Sequence, residues 1–190
     1  MINKIKNLRG FTLIETLVAV LLLATTIVGP LTIASKGLTT ALISKDQITA
    51  FYLAQDGVEQ VRFLRDSACL TAAISPCDAT VWLSSLTVCT STDGSATCYL
   101  DSLSNSPPSA TTCGGIACPV MRYDPTNHTY NYDGSVGISS GQYLRTISIQ
   151  NDPSGATPDE AVVTVTVSWT DIAGVVHMPV IARENIFRWE

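Results

Sequence analysis

"KNLRGFTLIETLVAVLLLATTIVGPLTIASKG", Lys6 to Gly37, holds one carboxylate, Glu15, inside an otherwise apolar run. From Phe11 to Ala34 no other charged residue occurs. Thr16 to Ala34 alone is close to a bilayer width of helix, for which about 20 apolar residues are needed. Lys4, Lys6 and Arg9 precede the run and are expected to stay cytoplasmic, so that everything after it faces outward. Gly29-Pro30 interrupts the run. Proline removes an N–H and crowds the preceding turn, so a kink or local melting is expected there.

The acid is the residue to explain. A centred carboxylate costs about 2.5–3.5 kcal/mol on insertion scales, less near the interface, and it calls for a partner. A secretory signal has a shorter core ending at a small-residue cut site. Ala34-Ser35 imitates such a site, but Glu15 at the front of the core does not fit. A lipoprotein signal needs a cysteine at the end of the run, and the first one is Cys69.

"RGFTLIETLVAVLLL" resembles the class III signal of type IV pilins and pseudopilins: basic leader, glycine, aromatic, then Thr-Leu-Ile-Glu. The resemblance implies that a prepilin peptidase cuts after Gly10 on the cytoplasmic side and that the new amino group on Phe11 is methylated. It also implies a partner for Glu15, namely a protonated N-terminal amine on a neighbouring subunit or on Phe11 itself. Such a pair fixes register more than it adds stability. The partners implied are the membrane, the prepilin peptidase, other pilin or pseudopilin subunits and an assembly platform protein. The location implied is the bacterial cytoplasmic membrane, single-pass, with a cytoplasmic N-terminus and an extracytoplasmic head. After assembly it becomes a surface or periplasmic filament.

Helical spacing continues past Lys36. Ile48, Phe51, Ala54, Val58 and Val61 recur on one face with Leu53, Gly57 and Leu64 beside them, which predicts an amphipathic helix ending near Asp66–Ala68. Gly57 costs about 1 kcal/mol relative to alanine, and close packing against a strand explains it. "FYLAQDGVEQVRFLRD" also looks like the helix end of minor pilins similar to the I-type pseudopilin of type II secretion and the V-type minor pilin. The expected divisions are a cleaved leader 1–10, a membrane and filament-core helix 11–35, an amphipathic helix 36–68, and a β-rich head 69–190. The expected fold class is α+β and pilin-like, with the long helix packed on a C-terminal antiparallel sheet.

Six cysteines, Cys69, Cys77, Cys89, Cys98, Cys113 and Cys118, follow the apolar run in a loop-rich region, which suggests disulfides and an oxidising compartment. No C-x-x-C occurs, and His128 and His177 are remote, so a metal site is not indicated. Six cysteines allow about 15 pairings, of which neighbour pairing is the simplest. "VWLSSLTVC" (81–89) reads as a strand, and Asp93-Gly94, Pro107-Pro108 and Gly114-Gly115 mark turns. "PVMRYDPTNHTYNYDG" reads as two strands around a turn at Pro125–His128. "QYLRTISIQ" (142–150) and "AVVTVTVSW" (161–169) alternate, with a loop between them. "VVHMPVIAREN" (175–185) is a last strand that Pro179 confines to an edge or a bulge. This C-terminal order, closed by Trp189, also resembles the sheet of the same minor-pilin group.

Net charge is −5; without the opening ten residues, eight cations face sixteen acids, a balance of −8. An acidic body has no electrostatic footprint for nucleic acid. Asp124, Asn127, Asn131 and Asp133 could ligate calcium, but EF-hand spacing is absent and Asn and Asp are ordinary turn formers. Tyr123, Tyr130 and Tyr132 read as cross-strand packing. No nucleophile elbow, phosphate loop or H-E-x-x-H appears, so no enzyme, cofactor or resident metal is expected. A structural subunit, minor by its helix and sheet resemblance, is therefore the first reading. A membrane-anchored adhesin or binding protein borrowing a pilin-type anchor is the alternative, and residues 69–160 would have to show its pocket. Secretion pseudopilus, type IV pilus and DNA-uptake pilus all stay open.

Overall fold

The computed structural model describes residues 10–71, 77–78, 80–101, 108–113, 117–132, 138–151, 159–171 and 174–188. Lys4, Lys6, Arg9, Pro107, Gly114-Gly115, Asp133, Trp189 and most of the loop expected after Gln150 lie outside them. The chain divides into two units, Met1–Ser44 and Lys45–Glu190. The layout is a long N-terminal helix followed by an eight-stranded sheet, an α+β arrangement matching a pilin-like fold.

Helix α1 runs from Leu13 to Thr71. It passes through Pro30 without interruption, so the local melting expected at Gly29-Pro30 does not occur. One missing N–H breaks one rung, and the turns on either side hold. The Thr32 hydroxyl adds a bond to the Val28 carbonyl at 2.8 Å, two residues before and after the proline. The helix also outlasts the expected end at Asp66–Ala68. Cys69 is buried on it and bonded to Cys77, and the Thr71 hydroxyl donates to the Ser67 carbonyl at 2.6 Å.

Within the second unit, α1 buries Ala50, Leu53, Ala54, Gly57, Val58, Val61 and Leu64. Two members of the expected stripe, Ile48 and Phe51, are instead exposed by about half. The 3.6-residue period is right, but the buried face is turned by about one position toward the small residues Ala50, Ala54 and Gly57; at Gly57 the side chains of Val165 and Arg145 come up against the helix.

The strands are β1 Thr90–Ser91, β2 Cys98–Asp101, β3 Ser109–Thr112, β4 Val120–Asp124, β5 Thr129–Asn131, β6 Ile138–Asn151, β7 Glu160–Trp169 and β8 Val180–Phe187. β6 is the organiser. β7 pairs along one of its edges and β8 follows; β4, β2 and β1 share the other, with β5 on β4 and β3 on β2. Every pairing is antiparallel except β1 with β6, which is parallel. Register places Tyr143, Arg145, Ile147 and Ile149 of β6 opposite Trp169, Val167, Val165 and Val163 of β7, all eight buried on one face. Period-2 alternation in both strands sends these side chains to the same side, and each valine or isoleucine buried is worth about 1.5–3 kcal/mol against exposure.

Residues 81–89 are not a strand. A turn leads into a 3₁₀ helix, Ser84–Cys89, with Leu83, Leu86 and Cys89 buried. Their spacing of three matches the three residues per turn of that helix, not the two of a strand. The last strand begins at Val180, five residues later than expected, because Pro179 cannot donate to the ladder; before it, among the described residues, only Val176 forms a bridge, to Thr170. β8 is an edge strand.

Candidate processing and assembly site

Gly10, Phe11 and Thr12 precede α1 in a non-helical stretch, and Gly10 and Phe11 are exposed. A Cβ built on Gly10 meets nothing within 4 Å, so no packing inside this chain demands the glycine. What glycine supplies there is a free, unhindered peptide bond. Thr12 is the N-cap. Its carbonyl accepts from the N–H of Glu15 (3.1 Å) and Thr16 (3.2 Å), and its hydroxyl accepts from the Glu15 N–H at 3.4 Å.

Glu15 is therefore the third helical residue, the acid position of a T-x-x-E pattern, and it stands in the first turn, at the positive end of the helix dipole. That pattern stands in the sequence as Thr12-Leu13-Ile14-Glu15, and the reading from hydropathy alone passed over it. Behind it Leu17, Val20, Leu21, Leu23, Ile27 and Leu31 are each more than 60% exposed. Water does not tolerate so continuous an apolar surface; lipid or other helices do. The hydroxyls along it are satisfied within the helix: Thr16 donates to the Leu13 carbonyl, Thr25 to Leu21 and Leu22, and Thr26 to Leu23, all at 2.8–3.1 Å. Among the described residues, α1 is long and apolar enough to cross a membrane.

Residues 5–29 match the prokaryotic N-terminal methylation motif. This segment is a type IV pilin-type class III signal. The match takes in Gly10, Phe11 and Glu15 together. No curated protein and no solved structure matches the chain.

In the head that follows the pilin-type signal, disulfides join Cys69 to Cys77, Cys89 to Cys98 and Cys113 to Cys118, with Cα separations of 5.3, 5.0 and 4.7 Å. The Asp124 carboxylate, weighed as a calcium ligand, is engaged by its own turn. It accepts from the N–H of Thr126 (2.8 Å) and Asn127 (3.4 Å) and from Asn127 Nδ2 (2.8 Å). These bonds, the Thr126 backbone first, hold its carboxyl below the usual range. Asn131 is buried nearby, and among the described residues no three His, Cys, Asp or Glu side chains are grouped to hold a metal.

Tyr123 lies directly opposite Tyr130, with ring centres 5.2 Å apart, and Tyr130 meets Tyr143 edge-on at 5.4 Å. Tyr132 lies 4.9 Å from Tyr99. All of these are packing contacts between strands and their flanks. His128 turns the β4–β5 hairpin at φ 55° and bonds Tyr123 through Nδ1 at 2.9 Å. His177 is stacked on Trp169 at 4.1 Å and bonded to Asp171 at 3.0 Å.

Arg145 is the residue that the sequence reading passed over. It is 1% exposed. Nη1 donates to the Leu53 carbonyl (3.2 Å) and Asp56 (2.7 Å), and Nη2 donates to Gln60 (3.1 Å) and the Leu100 carbonyl (3.2 Å). One guanidinium thereby ties α1, β2 and β6 together. Its signal was parity: it occupies an inward position between Tyr143 and Ile147, where an unpaired charge would be untenable.

Proposed function

We propose that this chain is a structural minor pilin or pseudopilin subunit and catalyses nothing. It is held in the cytoplasmic membrane by residues 11–35, N-terminus cytoplasmic and head outside, and is then extracted into a type IV pilus or secretion pseudopilus, in its initiation or tip complex. A peptidase frees Phe11 by cutting after Gly10, the new amine is methylated, and the platform protein drives extraction.

The observation that carries this is Glu15 in the first turn of a bare apolar helix, inside the matched residues 5–29. A carboxylate so placed is costly in lipid alone and tolerable beside an amine. Two subunits meeting amine to carboxylate share one axial offset, because any other offset strands both charges in a low dielectric.

The test is Glu15→Leu. The variant removes an insertion cost of up to about 3 kcal/mol, so the chain stays abundant in the membrane. Cleavage after Gly10 persists and the head keeps its disulfides, while crosslinking to co-assembling subunits falls away. Normal crosslinking together with normal pilus or secretion output would show that Glu15 is not an assembly contact.

A further inference from the structure

β8 stands at the rim of the sheet for eight residues, Val180–Phe187. Among the described residues it pairs with β7 alone, which leaves its outer row of backbone donors and acceptors without a strand, although the Phe187 carbonyl at its end accepts from Arg65 Nη1 at 3.3 Å. Sheets ordinarily guard such a rim with charged side chains, lysine above all, with proline, a bulge, short length or an inward charge; on β8 the one outward charge is Arg183. β8 contains no lysine or proline, keeps a continuous register against β7, and is longer than a typical edge strand. Its inward charge, Glu184, is already engaged by Arg62 of α1, through Nε at 3.0 Å and through Nη2.

Beside this rim lies a cleft of about 440 Å³. Helix α1 lines it with Phe51, Gln55 and Val58, and β8 with Ala182 and Arg183. Phe51 is 49% exposed, and Ile48 and Tyr52 continue the apolar surface toward Val180. An open strand edge next to an apolar helix flank is the setting in which an added strand gains ladder hydrogen bonds and side-chain burial together.

We propose that β8 and this cleft receive an extended strand from a different subunit, which pairs with the β8 edge and lays alternate apolar side chains against Phe51, Val58 and Ala182. The inference rests on the assembly reading above. The occupant must be extended, since only a strand presents backbone groups at the spacing of the rim. It is not a second copy's β8. Directly opposed antiparallel residues share a face, so self-pairing requires an even sum of residue numbers. The two registers nearest full overlap then set Arg183 against Arg183 or Glu184 against Glu184, and like charges directly opposite repel. A partner strand bearing an acid opposite Arg183 and apolar residues on its inner face has neither fault.

The experiment compares amide exchange of the full processed chain, as a detergent-held single subunit and within the assembled filament or its extracted complex. A benzophenone amino acid in place of Phe187 reports the neighbour. The expected result is that every second amide across 180–187 slows about tenfold or more on assembly, with crosslinks to a chain of different mass. Unchanged β8 exchange in an assembled chain overturns the inference and leaves the assembly reading standing. Shielding of Phe51 and Tyr52 without protection of β8 amides overturns it equally, as do crosslinks of twice this chain's mass. A chain that enters no assembly removes both readings.

Discussion

Gly57 on α1 lies so close to Val165 on β7 that a Cβ at position 57 would stand 2.8 Å from Val165 Cγ1 and 3.3 Å from Arg145 Cδ. Neither neighbour has room to yield: Val165 is fully buried and Arg145 is held by four hydrogen bonds. Gly57→Ala gains about 1 kcal/mol of helix propensity and loses about 1–3 kcal/mol to overpacking. Net destabilisation of the head is expected in denaturant titration, and a stabilised variant would refute the close contact.

Arg145→Ala strips bonds from two buried carbonyls and opens a void, at a cost of about 3 kcal/mol. Asp56→Asn should cost under about 1 kcal/mol, because Asp56 is 54% exposed and its pair is screened by water. Arg145→Lys should not rescue, since an ammonium cannot reach Leu53, Gln60 and Leu100 from one planar fork. Equilibrium unfolding of the three variants gives the order; equal losses for Arg145→Ala and Asp56→Asn would mean that the ion pair and not the carbonyl ties dominates.

The three disulfides should each contribute about 2–3 kcal/mol, at the low end for a crosslink because they close short loops of 8, 9 and 5 residues. Alkylation of the exported chain without reductant, read by intact mass, should add no label. Under graded reductant the Cys89–Cys98 bond, with both sulfurs' residues at 0% exposure, should be the last to open.

Alkali should destabilise the head. Burial, joined by the charge of Asp46, pushes the Tyr143 phenol well above its usual range, and burial raises Tyr130 as well. A group whose folded pKa is raised contributes stability that is whole below the unfolded value, about 10, and is lost as pH rises toward the folded value. Ultraviolet titration of phenolate should therefore show a late fraction that ionises together with loss of structure, and Tyr143→Phe should shift that loss to higher pH.

Gly10→Val places a branched side chain at the bond proposed to be cut and should leave a full-length, membrane-held precursor. N-terminal mass spectrometry decides it, since a chain beginning with methylated Phe11 would contradict the assignment.

The C-terminal sheet was legible because its strands alternate: Val163, Val165 and Val167 against Thr164 and Thr166 announce both the strand and its inward face. Two other kinds of information were not legible. Ile48 and Phe51 carry the right period, but period does not say which flank of a helical stripe meets a neighbour, and small residues decided it. β3 is pinned by tertiary pairing and not by apolar pattern. Ser109, Ala110, Thr111 and Thr112 form a strand because Cys98–Asp101 lies beside them. At the N-terminus, Glu15 stood out because an acid in an apolar run asks for a reason, and Gly10 and Phe11 joined it only through the resemblance to the pilin-type signal. The Thr12 cap did not stand out, because its role needs only the local turn.

Each disulfide joins a cysteine to the next cysteine along the chain. For a head threaded outward N-terminus first, as proposed, vectorial oxidation then gives the native connectivity directly: when any second thiol emerges, the one thiol waiting for it is its own mate. Loops this short bring their two thiols together in well under a microsecond, so the oxidant and not chain motion sets the pace of crosslinking. Such a chain depends on an oxidase and not on an isomerase. It can have all three crosslinks in place before the sheet that buries them exists.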